Sequence, residues 1–168
     1  MSTKKVYEKR GKIVTFVNTG GDKLLALKGL AQVAGRLSAF FDRGAGAAPS
    51  EYQVRAYCKW EATVSANETM QVFLCQSDGT HADSGLTFSE TADAALTLAQ
   101  CSNLIFIGNV NADTADTAEH GATFTVRITS RYFAIGIYNA SAAKDLLDTH
   151  SVSAVVVTEI IPYVQGAA

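Results

Sequence analysis

Thirteen consecutive residues, YQVRAYCKWEATV at positions 52–64, alternate without a slip: Tyr52, Val54, Ala56, Cys58, Trp60, Ala62 and Val64 fall on one parity, and Gln53, Arg55, Tyr57, Lys59, Glu61 and Thr63 on the other. Successive strand side chains point to opposite faces, so a period of two over this length predicts a long strand with one face in a core and the other in water. A helix would scatter the same apolar residues around its circumference.

Asn67, Glu68 and Thr69 break the pattern, and Met70, Val72 and Leu74 resume it, which predicts a second strand joined to the first as an antiparallel hairpin. Polar punctuation at 76–85, with Asp78-Gly79 as a turn signal, predicts an exposed loop. The apolar run SNLIFIGNV at 102–110 reads as a strand, and the acidic stretch after it as a loop. Phe124, Val126 and Ile128 share one parity, and Phe133, Ile135 and Ile137 the other, a slip that implies a bulge or a bend between strands. The closing run VSAVVVTEIIPYV is apolar on both faces, as in a central strand or one covered by a neighbouring subunit, with Pro162 at its end or on an edge. Residues 24–41 also suit a helical stripe, but Gly29 and Gly35 would each weaken a helix by about 1 kcal/mol, so two short strands are the preferred reading. Residues 90–100 have room for a helical turn.

About eight strands with polar loops and no strand–helix alternation predict an all-β fold, an antiparallel β-sandwich of the jelly-roll kind. The length of 168 residues and an apolar share of 48% against 18% charged fit a single folded domain, assigned to residues 13–168. Residues 1–12, rich in lysine and arginine, are expected to form a basic N-terminal arm. No run approaches the ~20 apolar residues that a membrane-spanning helix needs. The polar N-terminus has no apolar h-region, so synthesis in the cytoplasm is expected. Residues 1–60 carry eleven Lys/Arg and four Asp/Glu, whereas 61–168 carry three and twelve, or +7 against −9. Such asymmetry implies an oriented surface or arm, unless folding interleaves the two halves.

Chemistry-bearing motifs are not found. Cys58, Cys75 and Cys101 are odd in number and lie in apolar runs, where cysteine acts as a small hydrophobe. His81, His120 and His150 have no ligand partner at metal-binding spacing and are expected at the surface. The acidic loops with Asp78 and Asp83, and with Asp113, Asp116 and Glu119, do not follow a calcium-loop spacing. With no nucleophile elbow and no phosphate loop, the expectation is a non-enzyme without catalytic, cofactor or metal residues. The basic leader has only five positive charges, partly offset by Glu8, which predicts no more than weak, salt-sensitive contact with nucleic acid. Trp60 falls on the inward face and leaves Tyr57 as the outward aromatic of its strand, which argues modestly against sugar recognition.

The order of parts in RLSAFFDRGAGAAPSEYQVRAYCKWEATVSANETMQVFLCQSDGT, residues 36–80, resembles a group of small virion proteins of tailed bacteriophages, the capsid decoration or cement proteins. The shared parts are a glycine-flanked strand ending in D-R-G, a long alternating strand with a late Trp, and a hairpin leading to an S-D-G loop. NLIFIGNV at 103–110 and SRYFAIGIYNASA at 130–142 fit the same pattern, which spans residues 12–165. The resemblance implies a jelly-roll structural protein on the outer surface of the virion head, a homotrimer bound to the major capsid protein. Capsid contact is then expected from Lys4, Lys5, Lys9, Arg10 and Lys12, and subunit contact from Val152, Val155, Val157 and Ile161. The burial of that last run in one subunit's own core is the competing expectation. The alternative function on the same fold is a tail- or fibre-associated carbohydrate-binding module, since fold does not fix function.

Overall fold

The computed structural model describes residues 6–46, 50–61, 68–112, 118–147 and 154–164. In chain order the elements are β1 (Val6–Val17), β2 (Lys23–Leu24), β3 (Ala34–Leu37), β4 (Phe41–Asp42), β5 (Ser50–Cys58), β6 (Thr69–Ser77), β7 (Ala94–Leu96), the single-turn α1 (Leu98–Cys101), β8 (Ile105–Asn111), β9 (His120–Ile128), β10 (Tyr132–Asn139) and β11 (Ala154–Val164). One sheet has the order β2-β1-β11-β5-β9; the other has β7-β3-β10-β6-β8, with β4 also paired to β10.

Setting aside the short β2, β4 and β7, the remaining strands number eight, and renumbering them in sequence gives sheet orders 1-8-3-6 and 2-7-4-5. That interleaving, in which the first and last strands lie side by side and each sheet takes every other pair, is the jelly roll. The fold is therefore the all-β sandwich expected from the sequence, with three short accessory strands added.

Tyr52, Val54, Ala56 and Cys58 of β5 face inward with Val14 and Phe16 of β1 and Val155 and Val157 of β11, all buried. They meet Met70, Val72, Leu74, Phe133, Ile135 and Ile137 from the opposite sheet. Phe133 sits at the centre of an aromatic group, with ring centroids 5.9, 5.5 and 5.7 Å from Phe16, Phe41 and Tyr52. Burying such side chains stabilises the fold by roughly 1.5–3 kcal/mol each.

The central strands of the second sheet, β10 and β6, are buried on both faces. Phe73, Cys75, Ala134 and Tyr138 point away from the main core into a second one, closed by Leu37, Phe40, Leu96, Cys101 and Leu104. The segment between β6 and β8 forms this cladding, with the Phe88 ring tilted against Phe40 at a centroid distance of 4.9 Å and edge-to-face with Tyr132 at 5.0 Å. Thr97 and Gln100 form a capping box that starts α1 within it. The outer face of the β1-β11-β5-β9 sheet is different: Ile13, Gln53, Arg55, Thr123, Thr125 and Arg127 are exposed, and among the described residues nothing covers them.

Three expectations are corrected. β5 and β6 do not form a hairpin: β5 pairs with β11 and β9, and β6 with β10 and β8, so the connection at 59–68 crosses from one sheet to the other. Both strands put alternate residues into the same core, so either arrangement satisfies their shared periodicity. The boundary of the basic arm also moves, because Val6–Val17 is a strand paired along β11, from Val6 opposite Val164 to Phe16 opposite Val155. Residues 1–5 lie outside the described residues. His120 is buried rather than at the surface, because it opens β9 with its ring 5.6 Å from that of Trp60.

Residues 24–41 contribute short strands and no helix. The parity slip between Ile128 and Phe133 marks the passage from β9 in one sheet to β10 in the other. Pro162 lies opposite Glu8 of β1, beyond Ile160, the last residue of β11 that pairs with β5 among the described residues.

Candidate functional site

The motif residues expected to carry the resemblance turn out to hold the sandwich together. Asp42, at the end of β4, takes a two-pronged hydrogen bond from Arg131, whose Nε and Nη2 donate to its two oxygens at 2.8 and 2.6 Å, and it also accepts from the Gly44 N–H at 2.7 Å. The Arg131 hydrogen bond is the main cause that holds the Asp42 carboxyl down at about 2. Arg43 reaches the other way, its Nε donating to the Tyr52 hydroxyl at 2.9 Å and its Nη1 to the carbonyls of Ser130 and Ile128 at 2.9 and 3.2 Å. D-R-G thus ties β4 to β5 and to the β9–β10 turn.

S-D-G works in the same structural way. Asp78 Oδ1 accepts from the backbone N–H groups of Thr80 and His81 at 2.7 and 2.8 Å, which keeps its carboxyl at about 2. Gly79 has φ of 100°, a conformation glycine tolerates, and a Cβ there would stand 2.7 Å from the Tyr132 ring. Asp83 Oδ2 accepts from the Gln76 N–H. These carboxylates brace a turn, and among the described residues no three His, Cys, Asp or Glu side chains group as a metal site. Asp113, Asp116 and His150 lie outside the described residues.

The three cysteines are buried free thiols. Burial pushes each thiol up, that of Cys101 to about 11, which disfavours the reactive thiolate.

The expected contact residues divide. Lys12 is exposed, with its ammonium 4.4 Å from the centroid of the Phe41 ring. Lys9 and Arg10 stand opposite Ile161 and Ile160 in the β1–β11 ladder. Lys4, Lys5 and Val152 lie outside the described residues. Val155 and Val157 are wholly buried between the sheets, so the core reading holds for them and they have no surface for a neighbouring subunit. Large exposed apolar side chains occur elsewhere, at Leu98 of α1 and at Ile105 and Phe106 of the edge strand β8.

Sequence reasoning missed a trough on the bare sheet face. Two adjoining depressions, of about 420 and 440 Å³, share Gln53, Arg55, Tyr57 and Glu119. One extends over Ile13, Val156 and Thr158, the other over Gly121, Ala122 and Thr123. Arg55 and Tyr57 follow one another on the outward parity of β5, with the guanidinium 6.0 Å from the ring centroid. Burial, together with the nearby Glu119 carboxylate, raises the Tyr57 hydroxyl above its usual range, so the phenol stays neutral and able to donate. Directly across the ladder from Tyr57 is Gly121, which has no side chain to lay against the ring.

No family model matches this chain, and no curated protein matches it.

Proposed function

We propose that this chain is a structural virion protein, a decoration or cement protein on the capsid exterior of a tailed bacteriophage, bound to the major capsid protein as a homotrimer. One observation carries the reading: the residues through which the sequence resembles such proteins are the locks of this particular jelly roll. D-R-G ties β4 to β5 and the β9–β10 turn, S-D-G shapes the turn after β6, and the late Trp60 donates through Nε1 to Asn139 of the N-A-S-A stretch at 3.3 Å. Motif and architecture are therefore one signal, and jelly rolls are common among viral shell proteins.

The mechanism is mechanical. A protein that binds the assembled shell and not its separated subunits raises the free energy of rupture by mass action, with no bond made or broken. Attachment is assigned to the basic side chains Lys4, Lys5 and Lys12, with Lys9 and Arg10 beside them in sequence. Subunit contact passes from Val155 and Val157 to the exposed apolar side chains Leu98, Ile105 and Phe106.

The test is sedimentation with bare heads. Purified protein mixed with mature heads lacking it should pellet saturably, at three copies per three-fold site. Charge reversal at Lys4 and Lys5 should weaken pelleting and leave the free protein's unfolding unchanged. Deleting residues 1–12 would be the wrong variant, because it removes more than half of β1. Failure to pellet with heads, together with binding to tails, would replace the proposal with a tail-associated role.

A further inference from the structure

We propose that the outer face of the β1-β11-β5-β9 sheet, uncovered among the described residues, binds an oligosaccharide, laid across the strands in the trough at Tyr57. This goes beyond the head-binding reading and does not depend on it.

The chemistry of the trough selects the class of ligand. A sugar ring has apolar C–H faces and a rim of hydroxyls that both donate and accept, so it needs an aromatic surface ringed by mixed hydrogen-bonding groups. Tyr57 supplies the aromatic surface: it lines both depressions, with the Arg55 guanidinium 6.0 Å from its ring centroid. Arg55 is a pure donor, Glu119 an acceptor, and Gln53, Thr123 and Thr158 can do both. A phosphate or other strong anion would meet the Glu119 carboxylate beside Arg55. A lipid or apolar peptide would find too few apolar side chains in the second depression, where Tyr57 and Ala122 stand among polar groups. The opposed charges of Arg55 and Glu119 favour a neutral glycan over a uronate or sialylated one.

Register makes the platform. Tyr57 is opposite Gly121 in the β5–β9 ladder, and a Cβ on that glycine would stand 3.3 Å from the Tyr57 Cβ. Any other residue would place a side chain beside the ring on a face where cross-strand neighbours touch. With glycine there, the second depression opens beside Tyr57 instead of being filled. Each depression falls in the ~300–1,000 Å³ range of small-molecule sites, and together they form a run open at the surface, which suits a chain of sugar units more than a single enclosed one.

The experiment is an NMR titration of the free, full-length protein with cellohexaose, xylohexaose, mannohexaose and chitohexaose, and with sialyllactose as the charged comparison. At least one neutral hexasaccharide should shift the amides of Tyr57, Arg55 and Gly121 saturably. Tyr57→Ala should weaken that binding by about tenfold or more, whereas Tyr57→Phe, which keeps the ring, should hold it within about threefold. Arg55→Ala provides a second exposed variant should Tyr57→Ala disturb the fold. Absence of saturable shifts with every probe, shifts centred away from this face, or binding indifferent to both alanine variants would each overturn the proposal. Head pelleting uses other residues and a different readout, so the two proposals fail separately.

Discussion

Asn139 has no exposed surface, and its carboxamide is occupied on both sides. Its oxygen accepts from Trp60 Nε1 and from the Ser141 N–H, both at 3.3 Å, while its nitrogen donates to the carbonyls of Leu30, Ala31 and Lys144 at 3.2, 3.3 and 2.9 Å. One side chain thereby joins the end of β10, the bend before β3, the turn at 141–144 and the Trp beyond β5. Leucine would fill the same space and leave several buried polar groups without partners, each costing about 1–3 kcal/mol. Asn139→Leu is therefore expected to lower stability by at least about 3 kcal/mol, read as a shift of the urea midpoint at unchanged slope. The Asp42–Arg131 pair makes a smaller, pH-dependent contribution. Its carboxyl is held at about 2, below the ordinary value of 3.8, so the stability it adds is full above pH ~4 and is lost as pH falls through about 2. Because the pair is partly open to solvent, screening keeps that contribution small. Melting curves of the wild type and Asp42→Asn should differ at neutral pH and converge between pH ~4 and ~2. A gap at pH 2 as wide as that at neutral pH would contradict this account of the pair.

At the scale of elements, the period-two run in β5 fixed which residues face the core, and Tyr52, Val54, Ala56, Cys58 and Trp60 are all buried. Its partner was not legible. Alternation reports the face a residue takes and carries no information on which strand lies alongside, so a ten-residue connection could close a hairpin or cross the sandwich. The sheet buried on both sides had left a trace in Val72-Phe73-Leu74-Cys75, apolar on both parities, and all four are buried. Its cover had left none, because Leu86, Phe88, Leu96 and Leu104 are irregularly spaced and belong mostly to loops. Gly35 illustrates the same limit. Read as a weak point in a helix, it is a strand residue at a close backbone approach, where a Cβ would fall 2.5 Å from the Leu96 carbonyl oxygen and 3.0 Å from that of Ile137. Gly35→Ala should therefore push β3 from β7 and β10 and cost about 1–3 kcal/mol by urea unfolding, although alanine is ordinarily harmless in an open strand.

For the whole molecule, the charge asymmetry between the halves of the chain does not survive as a division of the fold. β1 and β5 from the basic half alternate in their sheet with β11 and β9 from the acidic half. The asymmetry that remains is one of faces: one sheet clad by its own chain, the other uncovered among the described residues and carrying the Tyr57 trough. The jelly-roll class was legible because strand spacing and the lack of helical rhythm are local properties of the sequence. The trough was not, because it depends on residue 121 lying opposite residue 57, a long-range register that no local pattern encodes. The central claim, that the molecule stabilises a capsid by binding its outside, is tested most directly by heating bare heads with and without saturating protein and recording the temperature at which they release DNA. The account predicts a higher release temperature that rises with protein concentration and then levels off. Heads that are fully occupied yet release DNA at the temperature of bare heads would contradict it.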